Sequence, residues 1–202
     1  MKTVTIKQLA TEIATLMGES LALECSPPES PFPDIEDKVR VMAPAALIRL
    51  IKEAKTEELT DGKRLDNNVV IDSQGTGTLE IPRDFLRVVY LKMSDWKRPV
   101  TEVTSVSDPA FARQSSPWNG IRGTPERPVV TEVIGSDGSR RLRLHSSAPD
   151  ATLETGIYIP LPTVSASDII EIPARLYPAV IEELKLRLLG KLYEVDPGSL
   201  PS

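Results

Sequence analysis

The chain has one histidine, His145, and one cysteine, Cys25, so the side-chain chemistry available to it is narrow. A serine or cysteine hydrolase with a histidine base would have to use His145. That residue alternates with leucines along a predicted strand, on the same side as Arg141 and Arg143. Such alternation indicates a histidine on the protein surface. We therefore expect His145 to be inert, and we expect its replacement by alanine to leave function intact.

Other catalytic and metal-binding patterns are missing from the sequence. It has no GxSxG, P-loop or HExxH motif, and no GxGxxG follows a predicted strand. The acidic residues do not have EF-hand spacing, and a single cysteine excludes both a four-cysteine zinc site and an intramolecular disulfide. We therefore expect no enzyme activity, no cofactor and no metal. With 29 acidic residues, a hydrolase that uses two converging carboxylates stays open as an alternative.

Two tryptophans could recognise a ligand. Trp96 lies in a predicted turn, and Trp118 lies in a long segment without periodicity. Exposed tryptophans can form a stacking platform for sugars or bases, with an apolar body and a polar edge. The other interpretation is that each folds back over the core, which a chain with only 4% aromatic residues needs. Both interpretations stay open.

The segment from 108 to 128, which we call the contact loop, is the main candidate for binding a neighbour. It is too long for a hairpin turn, and loops of this length inside a domain are usually functional or disordered. Its four prolines stiffen it and lower the entropy lost on docking. Its aromatic residues and arginines are types favoured at interfaces, and the predicted interface residues are Phe111, Arg113, Trp118, Arg122 and Arg127.

The predicted helices lie near the two ends of the chain, outside the β scaffold that carries this loop. Apolar residues at helical spacing predict a first helix over 4–18, with Thr5 and Gln8 as a capping box. A second helical region is predicted from Asp34 to about residue 58, and Pro44 predicts a kink or a break inside it. Four prolines in 24–33 predict a connector between the two.

The last predicted helix begins at Pro173 or Pro178 and is apolar over much of its circumference. One apolar row faces the core. A second row points elsewhere and is predicted to meet a neighbour; its members are Leu186, Leu189 and Tyr193. The tail after this helix is expected to be loose.

Between the helices the apolar period changes to two, which predicts strands. They are expected at 69–71, 78–81, 85–93 and 152–160, with a hairpin over 129–145, and 81–103 is expected to hold two strands joined by the Trp96 turn. The predicted fold is therefore α+β: a helical bundle from the N- and C-terminal helices with an inserted antiparallel β module. The predicted domains are a helical region at 1–66, the β module at 67–165, and a helix at 166–202 that completes the bundle.

Charge is unevenly distributed along the chain. The net charge of −5 divides into −5 over residues 1–80, +4 over 81–145 and −4 over 146–202. A nucleic-acid reader normally shows a denser basic cluster. The two interpretations are a solvated surface of mixed sign and oppositely charged faces that meet between copies of the chain. No run approaches the roughly 18 apolar residues of a membrane span, and the single cysteine suits the cytoplasm, where thiols stay reduced.

The runs IPRDFLRVVYLKMSDWKRPVTEV and ARQSSPWNGIRGTPERPVV give the chain a resemblance to a known family. With Arg113-Gln114, the RGTP run that begins at Arg122 and the apolar last helix, the chain resembles the head-to-tail connector rings of short-tailed bacteriophages, the tail adaptors or gatekeepers. That family inserts a β module between helices and carries no catalytic constellation.

The resemblance implies a structural virion protein made in the host cytoplasm and placed at the head-tail junction. It implies a ring of about twelve copies in which one face of each copy meets a different face of the next. The implied partners are the portal protein and adjacent tail or ring proteins, with transient contact to translocating DNA and none to a membrane. The alternative function is a carbohydrate- or receptor-binding β module of a phage or bacterial surface assembly, which would present Trp96 and Trp118.

Overall fold

The computed structural model of the chain describes residues 1–22, 35–116, 118, 121–135 and 137–193. Within them, four helices accompany antiparallel sheets, which confirms the predicted α+β class. The helices are Ile6–Ala22 (α1), Ile35–Glu53 (α2), Pro109–Arg113 (α3) and Tyr177–Tyr193 (α4). The strands are Lys2–Thr5 (β1), Lys63–Arg64 (β2), Val69–Ile71 (β3), Thr76–Glu80 (β4), Phe85–Met93 (β5), Val129–Ile134 (β6), Arg140–His145 (β7), Leu153–Pro160 (β8) and Ile169–Ile172 (β9). The predicted connector, its capping Asp34 and the predicted tail lie outside the described residues.

The chain forms two compact units. The first unit consists of Met1–Asp61 and Pro162–Ser202, and the second is the continuous stretch Gly62–Leu161. In the first unit, α1, α2 and α4 contact one another pairwise. Their apolar faces form a core that excludes water; its fully buried members are Ile6, Leu9, Ile13, Met17, Val39, Leu47, Ile51, Val180 and Leu184.

The start of α1 has the capping box that the sequence predicts. The backbone N–H of Gln8 donates to Thr5 Oγ1 at 3.1 Å, and the N–H of Thr5 donates to Gln8 Oε1 at 3.0 Å. The helix does not end at Gly18 but continues to Ala22. β1 was not predicted; it pairs antiparallel with β9 from Lys2↔Ile172 to Thr5↔Ile169. These two short strands have no turn between them in the sequence that could have revealed the pair.

Pro44 lies inside α2, which is continuous from Ile35 to Glu53, so the predicted break does not occur. Proline removes one backbone hydrogen bond and crowds the preceding turn. Next to it, Ala43, Ala46 and Leu47 are completely buried. Tertiary burial of this face offsets the local cost of proline, and the helix continues.

The second unit contains two antiparallel sheets, with strand orders β2-β8-β5 and β3-β4-β7-β6. Apolar side chains from both sheets form one core cluster; its members include Leu79, Leu91, Met93, Leu142, Leu144 and Tyr158. β5 has the predicted bounds, and β6 and β7 form the predicted hairpin. The second strand expected before Val103 is absent from the described residues, where a single bridge joins Leu91 to Val100. β2 was not predicted individually; it lies beyond the expected end of the second helical region, near residue 58, and inside the range 1–66 expected to be the helical domain.

Candidate interaction surface

The contact loop begins with a short helix. Asp108 caps α3 by accepting a hydrogen bond from the backbone N–H of Ala110 at 2.7 Å, and Pro109 occupies the first helical position. Proline suits this position because its missing N–H would have no helical acceptor there. Pro109 therefore contributes to the local folding of the loop.

Gln114 holds the two ends of the loop together. This side chain is 8% exposed. Its Nε2 donates to the carbonyl of Ala110 at 2.8 Å, and its Oε1 accepts from the backbone N–H of Gly123 at 2.9 Å. One side-chain amide thus closes the loop, because its nitrogen and its oxygen each form a hydrogen bond. Nothing in the sequence distinguished this glutamine from a solvent-exposed one.

Further hydrogen bonds fix the loop against the end of β7. The Ser146 hydroxyl donates to the carbonyl of Gly123. The indole N–H of Trp96 donates to the carbonyl of Ser146 at 3.2 Å, and the backbone N–H of Lys97 donates to the carbonyl of Pro125 at 2.9 Å. The second half of the contact loop therefore lies beside the Trp96 turn and the C-terminal end of β7.

Between the contact loop and one face of the four-stranded sheet lies a cavity of about 880 Å³, which we call the arginine cavity. The loop contributes Phe111, Gln114 and Arg122 to its wall, and β7 contributes Arg143 and His145. Other parts of the wall come from the turn between β3 and β4 and from Thr76, Thr131 and Val133. The lining is mostly polar, so the cavity can hydrogen bond to an occupant.

The prediction that His145 lies on the surface is wrong. The alternation itself is right, because Leu142 and Leu144 are buried in the core cluster and His145 is on the opposite face of β7. His145 is nevertheless only 5% exposed. The contact loop and the turn after β3 cover that end of the sheet, which strand periodicity cannot show.

The His145 side chain is held on one side only. Its Nε2 lies 3.0 Å from Thr131 Oγ1, a hydroxyl that is itself buried. Its Nδ1 is buried and has no hydrogen-bond partner among the described residues. Burial, followed by the positive charges of Arg122 and Arg143, lowers the pKa of His145 to about 4, against a smaller opposite effect of Asp72. The imidazole is therefore neutral at pH 7.

The positive charge of the cavity is incompletely balanced. Arg122 is half-buried and Arg143 is exposed, and neither guanidinium has a hydrogen bond or ion pair within the described part of the chain. Among the described residues, one carboxylate lines the cavity, that of Asp72. Its Oδ1 already accepts from the backbone N–H groups of Gln74 and Thr76 at 2.8 and 2.9 Å.

The predicted interface residues of the loop occupy different environments. Trp118 is 73% exposed, and Arg113 and Arg127 are also exposed. Phe111 is half-buried and lines the arginine cavity, as does Arg122. The loop also exposes an apolar side chain that the sequence analysis did not single out, Ile121, and Val106 just before the loop is exposed as well. Isolated valines and isoleucines carry no distinctive sequence signal, which is why both were missed.

The two tryptophans do not form a common platform. Trp96 is 3% exposed and belongs to the core cluster, whereas Trp118 is largely exposed. Folding back over the core is thus correct for Trp96 and wrong for Trp118. The platform that the alternative carbohydrate-binding function requires is therefore absent, because one of its two rings is buried.

Two of the three residues of the predicted second row of α4 have side chains that the structure describes. Leu186 is 56% exposed, and Leu189 is half-buried. The first row faces the core as predicted, since Val180, Ile181, Leu184 and Leu188 are buried. The side chain of Tyr193 lies outside the described residues.

Two kinds of site are not found in the described ranges. No three histidine, cysteine, aspartate or glutamate side chains there are grouped so that they could hold a metal ion. No described helix is long and apolar enough to cross a membrane. The arginine cavity thus offers hydrogen-bonding groups and arginine side chains to a ligand. The contact loop offers exposed apolar side chains.

Comparison with known protein families gives a match over nearly the whole chain. The model of a family described as SU10 adaptor protein matches residues 4–198, a span that includes both units, the contact loop and α4. No curated protein is similar enough to match.

Proposed function

The chain belongs to the SU10 adaptor protein family, whose members are structural proteins of bacteriophage particles, and from this membership we propose that it is a ring-forming subunit of the head-to-tail connector. In this role about twelve copies would form a ring below the portal and join the capsid to the tail. The ring would surround the channel through which DNA passes. The family match over nearly the whole chain is the observation that carries the proposal.

The composition of the contact loop supports an interface. Trp118 is mostly exposed and Ile121 is about half exposed. Val106 lies exposed just before the loop. Contiguous exposed apolar surface is unfavourable on a monomer and is typical of interaction sites. Because Gln114 and Asp108 hold the loop in one shape, docking would cost little conformational entropy. We propose that the contact loop meets a neighbouring subunit or the portal.

The exposed side of α4 supports a second contact. Leu186 is more than half exposed, although the other face of its helix is in the core. Burial in the monomer therefore does not explain why an apolar residue lies at this position. We propose that Leu186, with Leu189, contacts another protein. We also propose that the helices of the first unit form a bundle and that the second unit is inserted into it as the β module.

The place of the protein is in the virion, which follows from its family. Within the virion, we propose the head-tail junction, with the portal protein and adjacent tail or ring proteins as neighbours. The net charge of −5 suits a channel along which DNA must slide, because a surface rich in lysine and arginine would hold the phosphates and slow the DNA.

Size measurement and electron microscopy test the proposal. The purified chain, alone and mixed with its portal protein, should form rings that negative-stain images show as closed particles with a central opening. A chain that stays monomeric in both conditions would refute the ring. Particles without a symmetric opening would also refute it.

The role of the loop is tested by the double variant Trp118→Ala, Ile121→Ala. Loss of two exposed anchors should weaken association by about 2 to 4 kcal/mol without changing the fold. The matched control is Val70→Ala, since Val70 is equally exposed, at 72%, but lies outside the loop. Equal association of the double variant and the wild type would remove the loop from the interface.

A further inference from the structure

The arginine cavity has a net positive lining, which suits an anionic occupant. Two guanidinium groups line one concave space, and the Asp72 carboxylate is partly used by backbone donors. His145 is neutral there and contributes no charge. Bringing two like charges to one cavity costs free energy, and an anion between them would recover it.

We propose that the arginine cavity binds a carboxylate side chain of a second copy of the chain, with Arg122 and Arg143 as its ligands. The proposal rests on the proposed ring for the source of the carboxylate. The chemistry of the cavity stands without it.

The residue types favour an oxyanion. A guanidinium presents five N–H donors in a planar fork that matches two oxygens of a carboxylate. Neither Arg122 nor Arg143 uses these donors within the part of the chain that the structure describes. Thr76 also lines the cavity and offers a hydroxyl. A carboxylate that enters the cavity would thus find charge and hydrogen bonds together.

The shape of the site favours a protein carboxylate over a DNA phosphate. A glutamate side chain can reach into a concave space, whereas the phosphates of a duplex lie on a convex surface. The second unit has 13 basic and 12 acidic residues, so it lacks the dense positive surface that DNA binding normally needs.

The first unit of another copy can supply the acid. It has 11 basic and 17 acidic residues, a net charge of −6, while the second unit has a net charge of +1. Two of its acidic side chains, Glu57 and Glu171, are exposed and have no partner among the described residues. In a cyclic assembly each copy presents two different faces to its neighbours, so an acidic face and a basic cavity can meet all round the ring.

His145 provides a direct measurement, because it is the single histidine of the chain. In a protein without a histidine tag, the Cε1–H group of its imidazole gives one signal in a proton–carbon NMR spectrum. The probe is the peptide acetyl-Gly-Glu-Gly-amide, and the matched neutral probe is acetyl-Gly-Gln-Gly-amide. The glutamate peptide should shift this signal in a saturable way and raise the pKa of His145, because it neutralises the two arginines that depress it. The glutamine peptide should do neither.

Variants assign the effect to the cavity. Arg122→Gln and Arg143→Gln should each weaken binding of the glutamate peptide at least tenfold. Arg98→Gln is the matched control, since Arg98 is an exposed arginine of the same unit that neither lines the cavity nor belongs to the contact loop. The same two variants, but not the control, should assemble at least tenfold less readily, as measured by sedimentation at low ionic strength.

Each outcome decides a part of the proposal. Equal shifts with both peptides, or a shift with a short DNA duplex but not with the glutamate peptide, would overturn the carboxylate site. Peptide binding with unchanged assembly of Arg143→Gln would overturn the assignment to a second copy. If the wild type never assembles, the proposed ring fails, and the peptide titration still decides the chemistry of the cavity.

Discussion

The side-chain amide of Gln114 accepts a hydrogen bond from the backbone N–H of Gly123, nine residues later and inside the protein, at 2.9 Å. Gln114→Ala would leave that buried N–H without a partner. We expect a loss of about 1 to 3 kcal/mol in the free energy of unfolding, measured by chemical denaturation. Ser115→Ala, at the exposed neighbouring position, should change it by less than about 0.5 kcal/mol. An equal effect of the two variants would contradict the closing role of Gln114.

Stability should fall in mild acid because of His145. Its pKa is lowered from 6.5 to about 4 by folding, so between these values the unfolded chain binds a proton that the folded protein does not. The contribution of neutral His145 to the free energy of unfolding is complete above pH 6.5, and it is lost as the pH falls towards 4. It amounts to at most about 3 kcal/mol.

The variant His145→Gln isolates this effect from the titration of carboxylates. In this variant the free energy of unfolding should lose the part of its pH dependence that lies between the two pKa values of His145. The difference between the wild-type and variant stabilities, measured against pH, gives the size of this part. An NMR titration of the wild-type imidazole gives the folded pKa directly. A value near 6.5 would contradict the burial of His145.

Two glycines should respond to alanine in opposite directions. A Cβ at Gly62 would lie 2.6 Å from both Ile157 Cγ2 and the carbonyl oxygen of Tyr158. Gly62→Ala should therefore cost about 1 to 3 kcal/mol. Gly18 lies in α1 with open space around it, so Gly18→Ala should add about 0.5 to 1 kcal/mol. Thermal melting of both variants beside the wild type shows the signs, and two shifts of equal sign would refute the argument.

Asp168 combines an ion pair with an unusual backbone conformation. Its two carboxylate oxygens accept from Arg40 Nε at 3.0 Å and Nη2 at 3.1 Å, and its φ is 55°. Asn tolerates this φ, so Asp168→Asn should cost only the half-exposed ion pair, about 0.5 to 1 kcal/mol, and salt should reduce the difference.

Asp168→Ala removes the same ion pair and also places a poorly suited residue at a positive φ. It should therefore cost about 1 to 2 kcal/mol more than Asp168→Asn, as urea unfolding measures. The control is Asp150→Ala, at an exposed position where φ is negative. If the Ala and Asn variants are equally stable, backbone strain at this position is negligible.

Local patterns predicted local structure well. The bounds of β5, the β6–β7 hairpin and the Thr5–Gln8 capping box depend on neighbours in the sequence, so periodicity and capping rules were enough to find them. The β1–β9 pair joins residues about 165 apart, and β2 is only two residues long. Neither leaves a periodic signal.

The candidate site was predicted only in part, for a physical reason. Residue type identified the contact loop and Arg122, because arginine and tryptophan are typical of interfaces. The burial of His145 depends on where the loop lies after folding, and the sequence gives no sign of that. The role of Gln114 likewise depends on a single backbone N–H nine residues away. Whether side chains on the polar face of a strand are buried therefore depends on tertiary packing, which periodicity does not reveal.

The pairing of β1 with β9 also bears on how the chain is made. A ribosome completes the continuous stretch Gly62–Leu161 while the partner of β1 is still unsynthesised. The second unit can therefore fold during translation, whereas the first must keep the apolar faces of α1 and α2 exposed until α4 emerges. The N-terminal part of this unit is made first, but its core is completed last. Protection of the nascent chain from aggregation therefore matters most at this end.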